Sequence, residues 1–437
     1  MKTGNRSVMR LIAAACLLTL FLPGCVSDVL KQTMYYMSYQ PVYMSQDDFL
    51  NAVRVSPARD LVNPGKIYLK DQYLFVGETA QGVHVFDNSN PASPQALAFI
   101  EAPGNYDMVF NCDMLYLDSS TDLLVFDMST PQQPTLVRRL RNALPHMLSY
   151  RGFNADPAKG IVVEWKATML TAEYTGTNQL PAEWVANEVD PVTVDPSMRN
   201  GNTRTINPAV PGKGGSMSRF ALLDNHLYIV SPSELFVYKA SNCEAPVPAG
   251  KVDILIGQGE AEMVSTLEDK LLIGGTTGIA IYGTSNPEMP DYLSSFEHIE
   301  SCDPIVGQGR YAYITLRDGS DQPCDNNFTN QLDVLDLSNI SWPRHVATFP
   351  MTHPHGLGID GNLLFIADGD AGLRVFDASD PLRVGQNQIA HFPDMNGYDV
   401  IAHENLLIFT GKDGIALYDY SDVQDIRLLG SIPVVVE

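Results

Sequence analysis

Seven ionisable side chains occupy one position in seven copies of a repeated unit: Lys66, Asp107, Arg219, Glu262, Asp303, His355 and Asp399. Each opens the first strand of its unit, allowing a slip of one residue, and its flanks are mostly apolar or small. Only 18% of the chain is charged, so seven out of seven is not a chance pattern. Two arrangements fit. In one, opposite charges pair around a ring: Lys66 with Asp107 or Asp399, Arg219 with Glu262, and Asp303 with His355. Such pairs fix geometry while adding little net stability. In the other, the ring converges on a concave mouth that binds a polar ligand or a cation. The four carboxylates Asp107, Glu262, Asp303 and Asp399 would also serve a hydrolase or lyase acting on a carbohydrate.

Other constellations are weaker. His353 and His355 beside Asp303 are residue types that ligate zinc. Pro354 breaks the strand spacing between the two histidines, however, and there is no HExxH or Cys-His motif. The stretch from Asp318 through Asp321 to Asp325 is rich in oxygen but lacks the Asp-x-Asp-x-Asp-Gly spacing of a calcium loop. No Gly-x-Ser-x-Gly elbow and no Gly-rich phosphate loop occurs. No cofactor is therefore expected, and calcium and zinc are the metals nearest to having a site.

The repeat sets the register of these residues. Its clearest copy runs from Gly372 to Pro381 (GLRVFDASDP), and the others begin at Gly82, Asp122, Glu234, Gly278, Gln331 and Gly414. The shared serines, Ser89, Ser129, Ser241, Ser285, Ser338, Ser379 and Ser421, are separated by 40, 112, 44, 53, 41 and 42 residues. A period near 40 built from short strands marks a propeller or a similar closed array. The sixth unit shows four strands: 356–359, 363–367, 373–376 and 388–392, with Asp-Gly and Gly-Asn pairs at the hairpins. One such sheet cannot bury both faces, whereas a ring of seven can. The fold expected is an all-β, seven-bladed propeller with blades near 65–104, 105–144, 216–258, 260–300, 301–352, 354–395 and 397–433. The Asp-x-Ser-x-Pro element closing each third strand reads as a turn, since Asp and Ser side chains bond nearby backbone N–H groups. Lys239 and Gly283 replace the aspartate in two units. The aromatic stretch from Tyr35 to Tyr43 is the expected closing contact of the ring.

The segments LLVFD, LDVLD and LRVFD resemble the pentapeptide of the LVIVD repeat. The stretches NPGKIYLKDQYLFV, SCDPIV, NQLDVLDLS, HPHGLGIDGN and DGDAGLRVFDASDP are similar to those of LVIVD-repeat lipoproteins of Gram-negative bacteria, over most of residues 34–433. The resemblance implies a propeller outside the cytoplasm and carries no activity with it. The third and fourth units depart from the pattern at the lost aspartate.

The N-terminus reads as a targeting segment. Lys2, Arg6 and Arg10 precede an apolar run of 12 residues from Leu11 to Leu22, too short for a permanent span. Leu22-Pro23-Gly24-Cys25 resembles the bacterial lipobox, so residues 1–24 are expected to be a signal peptide, Cys25 the lipidated residue, 25–60 a tether and 61–437 the propeller. Cleavage would leave 25 basic and 51 acidic residues, a formal charge of −26. Such a surface repels phosphate backbones and excludes nucleic acid as a partner. The partners expected are the membrane, through the lipid, and a protein or carbohydrate ligand. The location expected is the outer membrane, on its periplasmic side or at the cell surface.

Export permits disulfides. Cys302 and Cys324 flank the first two strands of the fifth blade and are expected to pair, while Cys112 and Cys243 are expected to stay free. The gap of 112 residues hides an insertion at about 145–215 between blades 2 and 3. Gly160 to Trp165 reads as a strand, and 172–215, rich in Asn, Thr, Pro and Gly, as a loop. The insertion is either a lid over the charged face or a decoration packed on the rim, with Trp165 and Trp184 as its anchors. The function read from all this is a lipid-anchored binding or protein-interaction module; the alternative is a carbohydrate-directed enzyme.

Overall fold

Each repeat folds into a four-stranded antiparallel sheet whose strands, A to D, lie side by side in chain order. The computed structural model describes residues 32–144, 149–150, 153–174, 213–257, 259–298, 304–317, 330–394 and 396–435. The seven A strands are Pro64–Lys70, Met108–Asn111, Phe220–Leu223, Ala261–Leu267, Ile305–Gln308, Leu357–Asp360 and Gly397–His403. Successive A strands touch all the way round, the seventh against the first, which makes a seven-bladed propeller. In the sixth blade, B is Leu363–Ala367, C is Leu373–Asp377 and D is Gln388–Phe392, within a residue of the spacing read from sequence.

The B and C strands, buried along nearly their whole length, supply the core. Side chains from facing sheets interlock between blades, as where Phe75 meets Phe110 at 4.6 Å between ring centres. Ring closure uses the same packing. Ile67 and Leu74 of blade 1 share one apolar cluster with Ile401, Ile408 and Ile415 of blade 7. Leu61, just before blade 1, bridges Val434, just after blade 7, and accepts a hydrogen bond from the Val435 N–H at 2.8 Å. Tyr35 to Tyr43 lies elsewhere: Gln32–Met44 pairs with Ile161–Tyr174 of the insertion in a two-stranded ribbon. Among the described residues, 32–38 and 167–174 count as a compact unit of their own.

The stretch expected as a tether contains more structure than a tether needs. Ser45 caps a helix, Gln46–Ala52, whose buried Phe49 sits under the Arg139 guanidinium at 4.5 Å. Arg54–Pro57 then adds an outer strand to blade 1 by pairing with its D strand, Gln95–Glu101.

The Asp-x-Ser element is a turn in five blades. The N–H groups of Ser89, Ser129, Ser338, Ser379 and Ser421 donate to Asp87, Asp127, Asp336, Asp377 and Asp419 at 2.8–2.9 Å. Bonds from Ser338 hold the Asp336 carboxyl down at about 2. A role repeated in five blades at the exposed rim is structural.

The expectation that Cys112 and Cys243 stay free is overturned. Cys112 and Cys243 form a disulfide. Between the A–B hairpin of blade 2 and the C–D turn of blade 3, the Asn111 side chain donates to Ala240 O at 2.7 Å and the Tyr116 hydroxyl to Cys243 O at 2.7 Å. These bonds bring the two turns together. Cys302, Cys324, Cys25 and Trp184 lie outside the described residues.

Candidate functional site: the channel mouth

The mouth is built on the connections that lead from each D strand into the next A strand. In several blades, a polar side chain at or just after the end of strand B holds the backbone that leads into a strand A. Glu78 accepts from the N–H groups of Val62 and Asn63. Thr276 accepts from Glu260 N–H at 2.9 Å, and Asp368 from Thr352 and His353 N–H at 2.8–3.0 Å. Asp118 Oδ1 takes the Asn105 amide and the N–H groups of Tyr106 and Asp107 at 2.8–2.9 Å. The sequence reading missed this second ring of polar side chains.

Asp118 is 3% exposed. Burial pushes its carboxyl up to about 7, against the pull of the Asp107 and Tyr106 N–H groups. A folded value above the unfolded 3.8 means that its contribution to stability is complete below that pH and is lost as pH rises through 7. Asp118→Asn is therefore expected to flatten the stability profile between pH 4 and about 7, as read from urea midpoints. An unaltered slope would count against the assignment.

Six of the seven ring residues, Lys66, Asp107, Arg219, Glu262, His355 and Asp399, line one cavity of about 620 Å³. The seventh, Asp303, lies outside the described residues, next to Pro304, which does line the cavity. Asp107 and Asp399 are 2% and 3% exposed. Burial pushes both carboxyls up, opposed first by the charge of Lys66; burial pushes the Lys66 ammonium down, opposed by Asp107 and Asp399. Where the sequence offered Asp107 or Asp399 as the partner of Lys66, its charge acts on both acids. The expected Arg219–Glu262 pair is not: the Arg219 guanidinium makes no hydrogen bond or ion pair to any described residue, and its backbone N–H is what binds Asp107. Arg219 follows Ser218 directly, and that backbone bond holds the strand start against blade 2 while the side chain lines the cavity.

His355 sits among cations and rings. The Arg317 guanidinium lies on its imidazole, and His353 and Tyr398 stand 5.0 and 5.7 Å away between ring centres. Burial, then Arg317 and His353, lower its pKa to about 3, so the ring is neutral at physiological pH. No group of three metal-ligand side chains with metal-holding geometry occurs among the described residues.

The floor of the mouth comes from the insertion. Lys213–Gly214 pairs with the inner edge of the blade 1 A strand, so this chain segment runs inside the ring of A strands. The Lys213 ammonium donates to Ile359 O and Ala402 O at 3.1 and 2.6 Å. The Ser216 hydroxyl donates to Asp399 at 3.1 Å, the Ser218 hydroxyl to Asp107 at 3.0 Å, and Met217 O accepts from Lys66. Met217 faces the mouth cavity, whereas Lys213–Ser216 and Ser218 line a second cavity of about 320 Å³. Residues 172–215 were expected to be loop throughout. The strand at 213–214 exists because an unpaired blade edge accepts it, a tertiary cause with no periodic signal. Gly215 is required there: a side chain would overlap the Asp399 carboxylate.

The mouth's other lining residues, among them Tyr106, Arg317, Asp370 and Tyr398, were not singled out from sequence. Tyr106 and Tyr398 immediately precede ring residues, and Arg317 and Asp370 lie just after B strands. Inspection of those neighbours is the signal that would have found them.

The family model of the LVIVD repeat matches residues 64–99 and 355–383. These are blade 1 from strand A into D, and blade 6 from the start of A through C. The chain carries LVIVD repeats. No curated protein matches the sequence. The LVIVD-repeat propeller is similar to a solved protein of Lactobacillus plantarum at 11% identity, over 86% of this chain and 97% of that one, with a TM-score of 0.53. It is also similar to the periplasmic gluconolactonase of Pseudomonas aeruginosa, at 10% identity over 85% and 96% with a TM-score of 0.52. A computationally designed protein, Ika8, matches at 10% identity over 87% and 91%, with a TM-score of 0.50. At such identities the LVIVD-repeat propeller shares the fold with these proteins and nothing finer.

Proposed function

We propose that this propeller is a binding module, anchored through a lipidated Cys25 in the outer membrane, that takes a protein or carbohydrate ligand at its channel mouth. The observation that carries the reading is the convergence of Lys66, Asp107, Arg219, Glu262, His355 and Asp399 on one cavity of about 620 Å³. That size lies within the ~300–1,000 Å³ typical of ligand sites, and ionisable groups with shifted pKa values in a concave pocket mark candidate sites. The Gly24-Cys25 junction after an apolar run of 12 residues supports the anchor. No helix among the described residues is long and apolar enough to cross a membrane.

The hydrolase or lyase reading has less support. Asp107 and Asp399, its leading carboxylates, each accept backbone and serine donors and share Lys66. Carboxylates held this way serve as structural anchors.

One experiment tests both parts. Cells are labelled with palmitate and the protein is recovered from solubilised outer membrane together with whatever it binds. Label is expected in the wild type and absent from Cys25→Ser. Partners are expected to be lost from Asp303→Ala/His355→Ala; an identical set of partners would place binding away from the mouth.

A further inference from the structure

The cavity at the mouth contains three cations, Lys66, Arg219 and Arg317, in a chain whose formal charge is −23. Its carboxylates are largely engaged. Asp107 accepts from Met108 N–H, Ser218 Oγ and Arg219 N–H. Asp399 Oδ1 accepts from Val400 N–H and Ser216. Asp370 accepts from the Asn396 amide, and Glu262 also has a partner. Lys66 donates to Met217 O between the two buried acids. Arg317 covers the neutral ring of His355. Arg219 is the exception. It is partly buried, it lines the cavity, and its guanidinium has no hydrogen bond or ion pair among the described residues.

A guanidinium has five N–H donors, no acceptor capacity, and a planar fork that matches a carboxylate. Taking it out of water without an acceptor is costly. The mouth therefore offers an unmatched donor fork at Arg219, while the buried Asp399 Oδ2, which also lacks a hydrogen-bond partner among the described residues, lies against Gly215 on the floor. We infer that the mouth binds a small organic anion, with Arg219 gripping its carboxylate and the exposed ring of Tyr398 lying along its body. This rests on the mouth being the binding site, and it adds the chemical class of the ligand. A neutral sugar of the same size would give the Arg219 fork only uncharged hydroxyl acceptors, which bind it more weakly than a carboxylate. A cationic ligand would face Lys66, Arg219 and Arg317 in one cavity. The strongly acidic surface outside would slow the approach of any anion, so this site would select through donors at short range and not through long-range steering.

D-glucuronate and D-glucose make a matched pair of probes, differing by the carboxylate alone. Calorimetric titration of the full chain at low salt is expected to show glucuronate binding at least about tenfold more tightly than glucose, an ordinary margin for one charge-assisted contact. Arg219→Gln is expected to erase that difference, while Arg219→Lys keeps part of it. Inorganic sulfate in a third arm distinguishes an anion site of any kind from a carboxylate site: competition by sulfate at the affinity of glucuronate would reduce the assignment to a generic anion and overturn the carboxylate. Glucuronate binding no tighter than glucose, including no detectable binding of either, overturns the anion assignment. Thr79→Trp separates this from the broader reading, because Thr79 lines the cavity and an indole there fills it. Binding blocked by Thr79→Trp but indifferent to Arg219→Gln keeps the mouth and discards the anion; binding indifferent to both discards the mouth.

Discussion

Lys66→Met is expected to cost about 3–5 kcal/mol of stability, because it leaves two buried carboxyls without their shared counter-charge. Asp107 and Asp399 are 2% and 3% exposed, and Lys66 is the largest influence opposing the effect of burial on both. Without it, each carboxyl moves further above its unfolded value. A carboxyl raised on folding contributes fully below its unfolded pKa and less as pH rises through its folded pKa. The penalty in Lys66→Met should therefore be small near pH 4 and large near pH 8, which urea denaturation at the two pH values would measure. Adding Asp107→Asn to Lys66→Met removes one of the stranded carboxyls and should recover part of the loss at pH 8 only. An equal penalty at both pH values, or no recovery, would mean that Lys66 acts through packing of its stem. The floor segment adds a second readout. Met217 O accepts from Lys66, and Ser216 and Ser218 hold Asp399 and Asp107. Faster amide exchange at 215–218 is expected in the variant.

The residues explain why some of this could be read from the sequence and some could not. Gly372 to Pro381 recurs with little change, and that recurrence sets strand register blade by blade, so the ring of ionisable residues aligns from the sequence alone. Each described ring residue holds its place through a local rule, the start of strand A. The floor at Lys213–Ser218 obeys no local rule. Lys-Gly-Gly-Ser-Met-Ser has neither period nor propensity, and its position follows from the open inner edge of blade 1 and from two acids far away in sequence. The disulfide failed to show for a similar reason. Cys112 and Cys243 are 131 residues apart and meet where Asn111 and Tyr116 of one blade bond the backbone of the next at Ala240 and Cys243. The Arg219–Glu262 pair was inferred from sign alternation alone. Charge type tells which residues attract; it does not tell which way a side chain leaves its strand.

The largest effect away from the mouth is expected at the seam where the ring closes. Glu78 is 1% exposed and takes three donors: Val62 N–H at 3.1 Å, Asn63 N–H, and His84 Nε2 at 2.8 Å. The residue before them, Leu61, is the one that bridges Val434 and accepts from Val435. Glu78 thus fixes the strand that joins blade 1 to blade 7, with His84, 1% exposed, packed edge-on to Phe99 at 4.7 Å behind it. Glu78→Ala strands these donors in the interior and is expected to cost about 3–5 kcal/mol. Burial opposes ionisation of Glu78, but the bonds from His84, Val62 and Asn63 outweigh it and hold its carboxyl below the ordinary value. A depressed carboxyl contributes fully above its unfolded pKa of 4.5 and loses that contribution as pH falls through its folded pKa. Acid should therefore loosen the seam while it relieves the mouth, where the carboxyls are shifted the opposite way. Hydrogen exchange resolved by peptide is the measurement. In Glu78→Ala, and in the wild type at acid pH, residues 61–64 and 432–435 should lose protection before the sheets of blades 3 to 5 do. Uniform loss across all seven blades would show that closure rests on the apolar cluster of Ile67, Leu74, Ile401 and Ile408, and that Glu78 is no more than a satisfied buried acid.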